Sequence, residues 1–261
     1  MQTTTLSRIG LWAAWGFVAL VLVFLYAPLI PPAVNSFEGA GGEKGLFVNY
    51  AAILTDQRLV AAGRISLTVG LLVALISPLL ALLAAEAVRV WRIPKLVLGV
   101  LLIPLFVPGI SMGVATALFF QTLGIQPSLL TITAVQVIWA LPFAFLIILT
   151  VMANFDPVYR EAAYMSGANR LQAFFEVELP QIHPGILGAA VFSLILSFNE
   201  TIRTSVVQGG RNTVQTYLWS QYQQVGLSPN LYALMTVLIV ATLLLIGALA
   251  VMDMRAGRNR G

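Results

Sequence analysis

Residues 129–152 read LLTITAVQVIWALPFAFLIILTVM. The stretch carries no charged side chain, and as a helix rising ~1.5 Å per residue it covers the ~30 Å hydrocarbon core of a bilayer. Five further stretches are as long and mostly apolar, at roughly 9–31, 63–88, 96–122, 185–208 and 230–252. The whole chain of 261 residues is 59% hydrophobic and 9% charged, with a mean hydropathy of +0.91. A soluble domain carries about 25% charged residues. So few charges cannot keep a fold of this size dispersed in water, which excludes a soluble enzyme and a disordered chain. The expected fold is all-α, a polytopic membrane protein with six transmembrane helices.

Composition also limits the chemistry. There is no cysteine, so disulfides, iron–sulfur clusters and thiolate metal sites are excluded. A single histidine, His183, excludes a multi-histidine metal centre. The net charge of +4 belongs to orientation in the bilayer rather than to nucleic-acid binding. With an even number of spans both termini share one side. The N-terminal-inside arrangement puts Arg8, Arg89, Arg92, Lys95, Arg160, Arg170, Arg255, Arg258 and Arg260 inside, and Lys44, Arg58, Arg64 and Arg211 outside. The excess inside predicts both termini in the cytoplasm.

The organisation follows. Residues 1–31 form an N-terminal helix, expected to be retained because the apolar run from Ile9 to Ile30 exceeds the ~7–15 residues of a signal-peptide core. Residues 32–62 form an outer segment, with a glycine-rich loop at Glu38–Gly45 and either a short surface helix or a loose loop over Asn49–Leu59. Residues 63–252 hold five helices, and 253–261 a cytoplasmic tail. Pro78, Pro104, Pro108 and Pro142 fall inside spans, where each tends to kink its helix. Pro104 to Gly109 is the strongest such site. It serves either shape alone or a path between helices.

The segment 154–184 differs from its surroundings. It concentrates Asp156, Arg160, Glu161, Arg170, Glu176 and Glu178, and at ~30 residues it is longer than packing requires. Asp156-Pro157 reads as an N-cap followed by proline at the first helical position. Gly167 suits the end of that helix. Asn169 and Gln172 have capping-box spacing for a second helix, which Pro180 is expected to end. Ala163 and Gly167, four apart, permit close approach of another surface. Phe174, Phe175 and Val177 add apolar area beyond the spans, a candidate docking surface.

Glu161-Ala162-Ala163, Gly167-Ala168 and Leu179-Pro180 resemble, in residue and spacing, the EAA motif of ABC-transporter permease subunits. Arg64 to Val69 resembles the start of the permease core. Gly226 to Pro229 with Ala233 to Thr236 resembles the entry to the last helix of spermidine/putrescine-type permeases. The resemblance covers about residues 60–250. It implies a type I ABC importer permease fold, one of two permease chains with two ATP-binding subunits inside and a solute-binding protein outside, in a bacterial cytoplasmic membrane. It implies that Glu161, Ala162, Ala163, Gly167, Leu179 and Pro180 couple this chain to an ATP-binding subunit. It puts ATP and Mg on that partner, with no cofactor on this chain. The implied cargo is a polyamine or related organic cation. Amino-acid-like compounds, thiamine, aminoethylphosphonate and ferric iron are the alternatives.

The residues themselves agree that the chain is not an ATPase, since no G-x-x-x-x-G-K-[ST] phosphate loop occurs. Asn199, Glu200 and Arg203 fall within the fifth span. Ionisable groups at that depth cost ~2.5–3.5 kcal/mol each on insertion scales, so they pair or face a cavity. Glu200 and Arg203, three apart, meet on one helix face. The two readings are a structural ion pair and the lining of a translocation path that suits cationic cargo. Glu86 with Arg89 reads as an interfacial pair, and His183 as an interfacial polar residue. The segment Arg211–Gln224, rich in aromatic and amide side chains, is either interfacial or, by the resemblance, turned toward the solute-binding protein. Two rivals from other classes remain. An ion-coupled secondary transporter would favour internal repeats, and no convincing repeat is present. An intramembrane enzyme would need a catalytic motif, and none is present.

Overall fold

The computed structural model describes residues 5–39, 45, 47–91 and 93–258, with side chains described outside 5–9, 245–246 and 248–258. Most of the glycine-rich loop, Lys44, Arg92, Arg260 and the side chains of Arg8, Arg255 and Arg258 lie outside the described residues. Every regular element among the described residues is helical. In chain order they are α1 (Thr5–Tyr26), a 3-10 turn (Ala27–Leu29), α2 (Ile30–Asn35), α3 (Val48–Thr55), α4 (Gln57–Trp91), α5 (Pro94–Phe106), α6 (Gly109–Thr122) and α7 (Leu129–Ala153). Then follow α8 (Pro157–Met165), α9 (Arg170–Gln172), a π-turn segment (Ala173–Glu178), α10 (Leu179–Phe198), α11 (Ile202–Val207), α12 (Val214–Val225) and α13 (Pro229–Arg258).

Four helical stretches are long and apolar enough to cross a membrane: Gly10–Asn35, Gln57–Trp91, Leu129–Ala153 and Arg170–Phe198. The apolar stretch expected at 96–122 is not one straight helix. α5 and α6 meet at a 105° bend. Val107 is extended (φ −83°, ψ 126°), because a residue before proline is pushed out of the helical region, and Pro108 (ψ 135°) follows as the N-cap of α6. A fifth crossing therefore needs this bent pair to act as one span. The described apolar part of the last helix, Pro229–Leu244, is shorter than a full crossing.

The chain divides into two compact units, Met1–Gln57 with Gln221–Gly261, and Arg58–Ser220. In the first, α13 packs against α2 and α3. The buried Asn49 side chain donates to the carbonyls of Ser36 (2.8 Å) and Glu38 (3.1 Å). Ser36 Oγ lies 2.7 Å from Tyr50 Oη, and the rings of Phe37, Phe47 and Tyr50 cluster with centroids 5.6–6.1 Å apart. The surface segment 49–59 is thus helix over Val48–Thr55 rather than loose loop. Asp56 then leaves helical conformation (ψ 103°), and α4 begins directly after it.

In the second unit α7 lies against α5, α10 and α11, and α11 also lies against α6. The contact surfaces are built mainly from small and branched residues around one ring: Ala81, Ala85, Ala144, Ile148 and Ala189 with Phe145 in one cluster, Val69, Val73, Ile132, Val137 and Ala140 in another. Without a hydrophobic drive between helices in lipid, such residues let backbones approach and gain dispersion contact. Gly185 is the tightest case. A Cβ there would fall 2.4 Å from Val151 Cγ2.

Candidate functional site: a docking loop and a broken span

Asp156 accepts a hydrogen bond from Val158 N at 2.9 Å and Pro157 opens α8. α8 ends in a Schellman arrangement: Ala168 N–H donates to Ala163 O and Gly167 N–H to Tyr164 O, both at 3.0 Å. Gly167 takes φ +90°, a conformation that L side chains rarely adopt. Asn169 and Gln172 exchange reciprocal bonds of 2.8 and 2.9 Å, the expected capping box.

One expectation is corrected. Pro180 does not end the second helix, which runs unbroken through Pro180 and Pro184 to Phe198. The cause is a change of register. In the π-turn Leu179 N–H reaches back five residues to Phe174 O, so Pro180 enters where the ladder is already shifting and a missing donor costs little. A side chain supplies the bond that Pro184 cannot. His183 Nδ1 donates to Pro180 O at 2.6 Å, the carbonyl that a residue at 184 would engage if it had an N–H.

The α8 surface is divided. At ~100° per residue, Val158, Ala162 and Met165 share one face, with Arg160 and Ala163 opposite. Val158 and Met165 are 61% and 90% exposed. Glu161, Ala162, Gly167 and Pro180 are exposed, and Ala163 and Leu179 half-buried. The opposite face turns toward Glu178, whose carboxylate is 1% exposed, with Arg160 Nη1 at 3.6 Å from Oε2. Glu178 Oε1 pairs with Arg89, which also holds Glu86 one turn earlier on α4. Arg89 therefore serves two carboxylates, not only the Glu86 expected from sequence. The sequence reading counted Glu178 among the charges of this segment but not as a partner of Arg89, which is 89 positions away. A cavity of about 900 Å³ beside this network is walled by Leu79, Leu83, Leu171, Phe174 and Phe175.

The fifth span is broken. α10 stops at Phe198, and α11 begins at Ile202. Asn199 is exposed, its Nδ2 donating to Ile195 O at 2.8 Å. Both Glu200 oxygens are taken by Arg203: the backbone N–H and Nη1 each donate at 2.7 Å. Glu200 thereby caps the positive end of α11 and neutralises Arg203 at once. Arg203 lies over the Trp139 ring at 3.8 Å, and the position of a Cβ on Gly109 would lie 3.3 Å from its Cζ. The structure thus brings Glu200 and Arg203 together, buried at 5% and 8%, and leaves Asn199 apart from them.

A second set of polar contacts secures the break, and the sequence reading missed it. Gln136, buried in α7, donates to Thr204 Oγ1 at 2.9 Å and accepts from Ser197 Oγ. Thr131 Oγ1 donates to Val207 O at 2.9 Å. The available signal was Gln136 itself, an amide inside an otherwise apolar span. A cavity of about 310 Å³ alongside is lined by Phe120, Gln121, Gln126, Thr131, Val206 and Val207, and not by Glu200 or Arg203.

Apolar helices of membrane-crossing length, a bent helix pair, a break held by a charge pair and a folded charged loop characterise a multi-pass membrane protein. Residues 77–253 match the family described as binding-protein-dependent transport system inner membrane component, and the chain belongs to that family. It is an ABC-type permease chain resembling the spermidine/putrescine permeases. It is 27% identical over 244 residues to the spermidine/putrescine transport system permease protein PotC of Escherichia coli K12, covering 91% of this chain and 92% of PotC. It is 27% identical to the putrescine transport system permease protein PotI of the same organism, covering 87% and 86%. Its fold matches a chain of a bacterial ABC transporter involved in the import of the acidic polysaccharide alginate, with TM-score 0.69 at 19% identity over 95% of this chain and 96% of that one.

Proposed function

We propose that this chain is one of two permease subunits of an ATP-driven importer, with two ATP-binding subunits on the cytoplasmic side and a solute-binding protein on the outer side. ATP and Mg belong to the ATP-binding partners, and this chain carries no cofactor. Both termini lie in the cytoplasm, as the distribution of arginine and lysine favours. Its work is differential stabilisation of two helix arrangements, one open to each side.

The divided surface of α8 carries the reading. A short helix outside the spans exposes Val158, Ala162 and Met165 while its other face is held by Glu178. An apolar face kept in water and anchored from behind is suited to enter a groove on another protein. In this reading Glu161, Ala162, Ala163, Gly167, Leu179 and Pro180 form the coupling contact with an ATP-binding subunit. The native chain has no cysteine, so Ala162→Cys offers a single attachment point. It should crosslink to a co-expressed ATP-binding subunit, and failure to crosslink in an intact, transport-active complex removes α8 from the contact.

The cargo is a polyamine or related organic cation, a reading supported by the relatives named above. The path passes the break at Asn199, Glu200 and Arg203. Asn199 presents an amide beside it, and Glu200 would receive a cation only when Arg203 yields. Vesicles holding the complete complex and its binding protein should accumulate labelled spermidine or putrescine. No uptake of either, with ATPase activity stimulated by another loaded binding protein, overturns the cargo and leaves the permease role standing.

A further inference from the structure

We propose that Glu178 is the joint that passes displacement of α8 into the membrane helices, with Arg160 and Arg89 as its two arms. The inference rests on the reading of α8 as the docking helix and names the positioning residues behind it.

Glu178 is a carboxylate at 1% exposure. An isolated charge so buried is strongly unfavourable unless it is paired. Two cations supply the pairing, and they come from different elements. Arg89 stands in the last turn of α4 and Arg160 in α8, while Glu178 itself ends the π-turn that leads into α10. Glu86 completes the set by sharing Arg89. Two acids and two bases thus bring together the end of α4, α8 and the start of α10, with no net charge.

The two arms are unequal. Arg89 makes a close hydrogen-bonded pair with Glu178 Oε1. Arg160 stands 3.6 Å from Oε2, which accepts no hydrogen bond and is buried. Glu86 Oε1 is likewise buried and unbonded. The arm toward α8 is therefore a loose ion pair with an unfilled acceptor. A small approach of α8 would convert it to a hydrogen-bonded pair, and a small retreat would strand Oε2. Such a contact has two distinct arrangements, which is what transmission between sites requires. The π-turn carrying Glu178 gives the helix a place to absorb the change in register.

The test uses the whole reconstituted complex and reads solute transported per ATP hydrolysed. Arg160→Ala removes the loose arm and leaves Glu178 paired with Arg89. The complex should assemble with its ATP-binding subunits as the wild type does, while transport per ATP falls about tenfold. Arg160→Lys, which restores a cation, should recover most of the loss. Glu178→Gln, which weakens both arms, should lower transport per ATP at least as far, and adding Arg160→Ala to it should bring no further loss, because Arg160 then has no carboxylate to meet. An unchanged transport-to-ATP ratio in assembled Arg160→Ala complex overturns the joint. So do additive losses in the double variant, or loss of assembly on Arg160→Ala, which would make Arg160 a docking residue. Failure of the wild-type chain to bring down an ATP-binding subunit overturns the docking reading itself.

Discussion

Arg203 is held from two sides: Glu200 takes its backbone N–H and its guanidinium at 2.7 Å each, and the Trp139 ring lies 3.8 Å beneath it. The pair thus builds the corner where α10 ends and α11 starts. Glu200→Gln or Arg203→Gln alone should strand a buried charge at a cost of about 3–5 kcal/mol, whereas the double variant should be milder. Protein level in membranes and uptake, measured together, decide the role. Full uptake by the double variant leaves Glu200 as structure. Impaired uptake at normal protein level keeps it on the path.

Trp139→Leu should weaken the same corner by about 1–2 kcal/mol, the loss of a desolvated cation–π contact. Thermal unfolding in detergent measures it. The effect should vanish in a background where Arg203 is already glutamine, and persistence there would assign it to packing.

Gly185→Ala drives a Cβ into the branched Val151 side chain, which is short and stiff. A loss of about 1–3 kcal/mol is expected from overpacking. Gly188, three residues on, has nothing within 4 Å of an added Cβ. Gly188→Ala should therefore be neutral or stabilising by up to about 1 kcal/mol through helix propensity. Equal melting points for the two variants would contradict the packing of α10 on α7.

Gly167→Ala forces a Cβ onto a φ of +90°, at a cost of about 1–2 kcal/mol to the turn after α8. Gly167→Asp adds a charge beside the exposed face of α8. Both chains should still insert, but the aspartate variant should bring down less ATP-binding subunit than the alanine variant. Equal recovery with all three residues would free position 167 from the contact.

What could be read from sequence here was local. Asp156-Pro157, Gly167 and the Asn169–Gln172 pair each act within four residues, and each forms as its spacing indicates. The double proline and glycine near 108 marked the site of the 105° bend, though not its size. The misreadings are of two kinds. Pro180 was expected to end a helix because the usual i→i+4 ladder was assumed, and the π-turn ahead of it changes the count. The break after Phe198 has no proline or glycine to announce it. It is held by Glu200 on Arg203 and by Gln136 reaching across from α7. Contacts such as Arg89 with Glu178 join residues far apart in the chain, and periodicity carries no trace of them.

The helix from Arg170 to Phe198 is continuous through its π-turn, 29 residues long. At ~1.5 Å per residue it measures about 43 Å, so a tilt of about 5° at one end sweeps the other through about 4 Å. The end nearest α8 and the end beside Asn199 and Glu200 thus belong to one continuous helix. To the extent that it tilts as one piece beyond its π-turn, a displacement too small to unseat any packed side chain near Glu178 would match, at the far tip, the separation between an arginine and its carboxylate.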